Sequence, residues 1–110
     1  MSITADLIRG NTDTIILAQL LGGDSYGYAI NKRIRQTTND SFELKEATLY
    51  TAFKRLEDSG CISSYWGEGS VAARRKYYSI TLHGREIYSR LFNEWNDARN
   101  IIDSLLSEEK

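Results

Sequence analysis

Two short stretches of this 110-residue chain carry side chains suited to one kind of chemistry. In the run 46–59, Leu49, Phe53 and Leu56 fall at i, i+4 and i+7, the buried stripe of a helix. The opposite face then presents Ala47, Thr48, Tyr50, Thr51 and Lys54, with Lys45 just ahead of it. Short hydroxyls hydrogen-bond base edges, methyl groups meet the thymine methyl, and a lysine neutralises phosphate. Further on, Arg74-Arg75-Lys76 supplies three consecutive cations, the pattern of a phosphate or minor-groove contact. Each stretch alone also fits an ordinary solvated surface. The two together, in this order, point to double-stranded DNA.

Other reactive side chains lead nowhere comparable. Cys61 follows Gly60 with no basic neighbour in sequence and reads as a small buried thiol. His83 is the one histidine, without a nucleophile or a second ligand at helical spacing, so neither catalysis nor a metal site is expected. Gly67 and Gly69 precede no helix, which removes a phosphate-binding loop. No catalytic residue and no cofactor are assigned, and the chain does not read as an enzyme.

The elements that must position the two stretches follow from periodicity and turn residues. Residues 5–21 predict a helix with an apolar band from Leu7 to Leu21, broken by Asn11, Asp13 and Thr14. Gly22-Gly23 ends it, and Asp24-Ser25 is expected to cap a second helix over about 25–36. Asn39-Asp40 signals a turn, and Phe42-Glu43-Leu44 alternates like a very short strand. The helix 46–59 ends at Gly60. Two alternating stretches, 62–66 and 76–81, make a hairpin whose long tip is expected to be mobile. Thr81 caps a last helix running to about 107, with Tyr88, Leu91, Trp95, Ala98, Ile102 and Leu105 spaced as a heptad seam.

Helix, helix, strand, helix, hairpin is the order of a winged helix-turn-helix, α+β and mostly α. Residues 1–80 would form that domain. Residues 81–110 would be a C-terminal dimerisation helix packed on the helix 5–21. Composition agrees: 41% apolar, 26% charged and no proline suit one globular domain. The apolar runs are too short to span a membrane, the N-terminus lacks a signal-peptide pattern, and one cysteine suits a reducing compartment, so a cytoplasmic location is expected. Net charge is −1, yet residues 45–76 hold six basic against four acidic residues, while the segment from Tyr77 onward holds four against six. The positive excess sits on the third helix and the hairpin.

Glu43-Leu44-Lys45-Glu46-Ala47-Thr48-Leu49-Tyr50, then Phe53-Lys54-Arg55-Leu56-Glu57, Gly60 and Ile62, resembles the PadR family of bacterial transcriptional regulators. So does Ser64-Tyr65-Trp66-Gly67, Arg74-Arg75-Lys76-Tyr77-Tyr78, Ile80-Thr81 and Gly84. The likeness runs from Leu7 to Leu105 and is strongest to the short branch with a single C-terminal helix, which includes multidrug-binding repressors. It implies a homodimer on palindromic operator DNA, repressing a neighbouring gene.

From the sequence alone Trp95 reads as packing. The resemblance implies instead a slot at the dimer interface where this tryptophan stacks on a planar aromatic effector. Carried over by position, the slot would take Leu7, Gly10, Asp13, Thr14 and Ala18 from the first helix and Phe92, Trp95, Asn96 and Arg99 from the last. Arg99 stands where the drug-binding relative has an acidic residue. Asp13 either replaces that charge from across the slot, pairs with Arg99 or has a surface role, leaving neutral and anionic ligands open. Two other readings remain: a winged-helix protein-interaction module, and a repressor whose slot is packed shut.

Overall fold

The computed structural model describes residues 7–68 and 74–107. Its elements are α1 (Thr12–Leu20), β1 (Ser25–Tyr26), α2 (Gly27–Thr37), α3 (Glu46–Asp58), β2 (Ile62–Trp66), β3 (Lys76–Ile80) and α4 (Leu82–Leu106). The strands form one antiparallel sheet in the order β1-β3-β2. The winged helix-turn-helix architecture expected from the element order is the one observed.

The core forms where the three helix stripes meet the sheet. Ile16, Leu17 and Leu20 of α1, Ile30 and Ile34 of α2, and Leu49, Ala52, Phe53 and Leu56 of α3 are buried together with Cys61, Ile62 and Tyr78. Phe53 is the hinge of this arrangement: its ring stacks on Tyr78 at 3.9 Å, joining α3 to β3. Burying such a ring is worth about 1.5–3 kcal/mol. Gly60 ends α3 with φ +80°, as its position after the helix predicts. The expected turn at Asn39-Asp40 is also present, both residues in the left-handed region.

Three local expectations are corrected. The first helix is shorter than 5–21: a helical turn at residues 7–9 breaks at Gly10–Asn11, and α1 proper starts at Thr12, whose hydroxyl donates back to the Arg9 carbonyl at 2.8 Å. Residues 5 and 6 lie outside the described residues. Ser25 is a strand residue rather than a cap, because Ser25 and Tyr26 pair with Tyr78 and Tyr77. The third strand therefore comes before α2, and Phe42–Leu44 is no strand. Its place is taken by a side chain: Asn31 donates to the Leu44 carbonyl at 2.8 Å and accepts from the Leu44 N–H at 2.9 Å, satisfying the backbone that a ladder would have used.

The two alternating stretches do form the hairpin, paired from Ile62 opposite Ile80 to Trp66 opposite Lys76, and Gly67 N–H closes it on the Arg75 carbonyl at 2.9 Å. The tip expected to be mobile falls largely on 69–73, outside the described residues. Thr81 caps α4, its hydroxyl oxygen accepting from Gly84 N–H at 2.9 Å. Only the first turns of α4 pack on the core, through Ile87, Tyr88 and Leu91. With 25 residues the helix is about 37 Å long, a large part of the 62 Å long axis of the molecule. No helix among the described residues is long and apolar enough to cross a membrane.

Candidate nucleic-acid interface

Burial of Leu49, Ala52, Phe53 and Leu56 fixes the rotation of α3 about its axis. Ala47, Tyr50, Thr51, Lys54 and Arg55 are thereby left exposed, with Thr48 half-buried beside them. Lys45 is exposed at the N-cap of the same helix. A shallow depression runs along this face, lined by Ala47, Tyr50, Thr51, Lys54, Arg55, Asp58 and Ser59. Lys54 already has a carboxylate neighbour, Asp58, at 3.4 Å on the next turn; so exposed a pair contributes about 0.3–0.5 kcal/mol.

The hairpin side is built on a set of tyrosines. Tyr26 meets Tyr77 edge-on at 5.2 Å, and Tyr77 stacks on Tyr65 at 5.7 Å across the β2–β3 pair. The Tyr65 hydroxyl donates to Asp24 at 2.6 Å, a bond that pushes its ionisation above the ordinary value. Arg75 lies over the Tyr26 ring at 4.5 Å, so its guanidinium is held by a cation–π contact, while Arg74 and Lys76 are exposed. Between hairpin and helix lies a groove of about 550 Å³ whose lining includes Tyr26, Tyr28, Tyr50, Trp66, Arg74, Arg75 and Lys76.

Tyr50 lines both depressions, so the helix face and the basic triplet form one continuous surface. An aromatic floor with cations along one wall suits a sugar-phosphate strand, and the neighbouring methyls and hydroxyls of Ala47, Thr48 and Thr51 suit base edges. Sequence reasoning missed Tyr26, Tyr28 and Trp66 here. The signal for Trp66 was available, since pairing the two hairpin strands places it directly opposite Lys76. It also missed Arg55, which sits between the α3 face and a second small groove lined by Arg9, Thr12, Ala47, Thr48 and Thr51.

Asp13 is bound within the chain: Arg55 grips it side-on, Nε donating to Oδ2 at 3.2 Å and Nη2 donating to Oδ1. That hydrogen bond raises the Arg55 pKa further. The carboxylate is thus neutralised by Arg55 of α3, not by Arg99. The remaining residues of the expected ligand slot are spread over the segment before α1, α1 itself and α4. Leu7 and Gly10 are exposed, Thr14 and Ala18 half-buried, and on α4 Phe92, Trp95 and Arg99 are exposed with Asn96 half-buried. None of them lines the grooves described above. Of the heptad seam, Tyr88 and Leu91 pack on the core, while Trp95, Ala98, Ile102 and Leu105 face solvent. His83 is at the surface 3.9 Å from Glu86, and Cys61 is a buried free thiol. No group of metal-ligating side chains occurs among the described residues.

Fold and surface together define a winged helix-turn-helix DNA-binding protein. Residues 16–90 match the PadR-like family of transcriptional regulators, and the chain belongs to that family, whose members are regulators and not enzymes. A solved transcriptional regulator from Clostridium thermocellum is 46% identical, with 96% of this chain and 100% of that one covered and a TM-score of 0.87. A PadR family transcription regulator from Clostridium difficile is 35% identical over 88% of this chain and 99% of its own, with a TM-score of 0.77. An uncharacterized protein of Lysinibacillus sphaericus is 46% identical over 101 residues, 92% of this chain and 93% of its own.

Proposed function

We propose that the chain is a cytoplasmic, homodimeric repressor that binds a palindromic operator through α3 and the hairpin. The observation that carries this reading is the continuity of the helix face with the Arg74-Arg75-Lys76 wall through Tyr50. Residues 1–80 act as the reading head and residues 81–110 as the dimerisation helix. The apolar residues left exposed on α4, among them Phe92, Trp95, Ile102 and Leu105, support a helical partner for that segment. Two-fold symmetry then places the half-sites about one helical turn apart. Selection from a random pool of duplexes tests this directly: an inverted repeat must be enriched, and affinity for it must fall steeply with salt while sequence preference persists. Enrichment of no repeat, or binding indifferent to sequence, contradicts it.

Control by a planar aromatic effector is the second part of the proposal. It rests on Trp95, 42% exposed in the middle of α4 with Phe92 one turn before it. In a symmetric dimer a residue on the seam faces its own mate, and two indoles form a flat slot for a planar ring. Regulation requires that the ligand bind free and DNA-bound dimers with different affinity. With Asp13 neutralised by Arg55 and Arg99 exposed on α4, neutral or anionic planar compounds fit the slot better than cations. Saturable quenching of Trp66→Phe protein by such compounds, lost in the Trp66→Phe, Trp95→Ala double variant, is the expected result. Absence of saturable quenching leaves DNA binding intact and identifies a repressor with a closed slot.

A further inference from the structure

We infer that Arg55 is a DNA-contacting residue held in position by Asp13, so that α1 contributes to DNA binding through the orientation of one guanidinium on α3. The inference rests on the DNA-binding reading above and deepens it. Thr48, Thr51 and Arg55 fall at i, i+3 and i+7, one stripe of α3, and all three line the groove that also takes in Arg9 and Thr12. Thr48 and Thr51 belong to the helix face expected to meet bases, and Arg55 stands at the far end of their stripe.

The geometry of the ion pair leaves Arg55 capable of a second partner. Asp13 takes the side of the guanidinium, engaging Nε and one hydrogen of Nη2. A guanidinium has five N–H donors in a fixed fork, so both hydrogens of Nη1 and the second of Nη2 remain for an anion. No hydrogen bond from Nη1 is made among the described residues, and the Arg55 side chain is 52% exposed against 33% for Asp13. Free arginine side chains sample many rotamers, and holding one edge against a fixed carboxylate removes most of that freedom before DNA arrives. A phosphate oxygen pair is the ligand of matching shape and charge. Lys54, its neighbour in sequence, is a flexible point charge beside Asp58 and has no such fixed orientation.

A purely structural ion pair makes a different prediction, and the comparison of its two ends separates the cases. The probe is a duplex carrying the inverted repeat enriched by the wild-type protein, with an unrelated duplex of equal length as control. Affinities are measured by fluorescence anisotropy between about 50 and 200 mM salt, with thermal unfolding recorded for every variant. Wild-type binding to the selected duplex is the reference; its absence would sink the DNA-binding reading itself, not this inference alone. Given that reference, Arg55→Gln is expected to reduce the slope of log K against log salt by about 1 per half-site. Asp13→Asn is expected to keep that slope and to weaken binding by a smaller factor. Arg55→Lys should restore the slope but not the full affinity, since it keeps the charge and loses the fork. An unchanged slope in Arg55→Gln overturns the contact. Equal loss of slope in Asp13→Asn and Arg55→Gln shows that the pair merely braces α3 and also overturns it. Tighter binding by Asp13→Asn shows a competitor where a positioning residue is inferred, and overturns that role.

Discussion

Gly84 shows how much a single residue can settle in this molecule. A Cβ built there would lie 2.0 Å from the Cys61 carbonyl oxygen and 2.8 Å from Ile80, closer than any real contact. The absence of a side chain lets the start of α4 press against the turn that enters the hairpin. Gly84→Ala must displace one or the other, costing about 1–3 kcal/mol, as a lower midpoint of urea unfolding would record. Tyr78 offers a second residue-scale prediction. Burial, then the nearby Glu57 carboxylate, raises its ionisation above the ordinary value of 10.0. The folded state therefore favours the neutral phenol. The stability this provides is fully present below pH about 10 and is lost as pH rises through the higher folded value. Tyr78→Phe should remove that alkaline component from the dependence of unfolding free energy on pH; an unchanged profile would contradict the assignment.

At the scale of elements, what was legible in the sequence divides by cause. The α3 stripe, the Gly60 stop, the Thr81 cap and the two hairpin strands all follow from local patterns, and each is where the pattern puts it. The position of the third strand depended on a contact that no local pattern carries. Ser25-Tyr26 is a strand only because β3 lies beside it, and Phe42–Leu44 is not one because Asn31 reaches across from α2 to satisfy Leu44. Removing that side chain leaves two part-buried backbone groups without their partner. Asn31→Ala should cost about 1–3 kcal/mol, readable as a lower unfolding midpoint, and should loosen the entry to α3. The α3 face proposed to meet DNA was legible for the same reason as α3, by spacing, whereas the Arg55–Asp13 pair escaped because its partners are 42 residues apart. The break at Gly10–Asn11 is a further case: apolar residues lie on both sides of it and read as one helix, yet the helix restarts at Thr12.

The whole molecule is a compact winged-helix head with a long helix emerging from it. The head is satisfied by its own core, and α4 is not: beyond Leu91 its apolar residues are exposed. In the proposed dimer a second copy of α4 along the heptad seam would cover them, so Ile102→Glu should turn a dimer into a monomer in sedimentation velocity while the helix content of the head persists. Loss of the dimer would also lower operator affinity far more than twofold, because two linked heads gain from effective concentration. If Ile102→Glu stays dimeric, the interface lies elsewhere.

DNA recognition by the joined surface of α3 and hairpin is tested most directly by one comparison. Wild-type protein, Thr51→Ala and Arg74→Ala would each be titrated against the selected inverted repeat and an unrelated duplex across a range of salt. Thr51→Ala should weaken binding to the repeat selectively, with little change on the unrelated duplex. Arg74→Ala should weaken both and lower the salt slope by about 1 per half-site. Binding to the repeat that neither substitution alters would contradict the assignment of this surface to DNA.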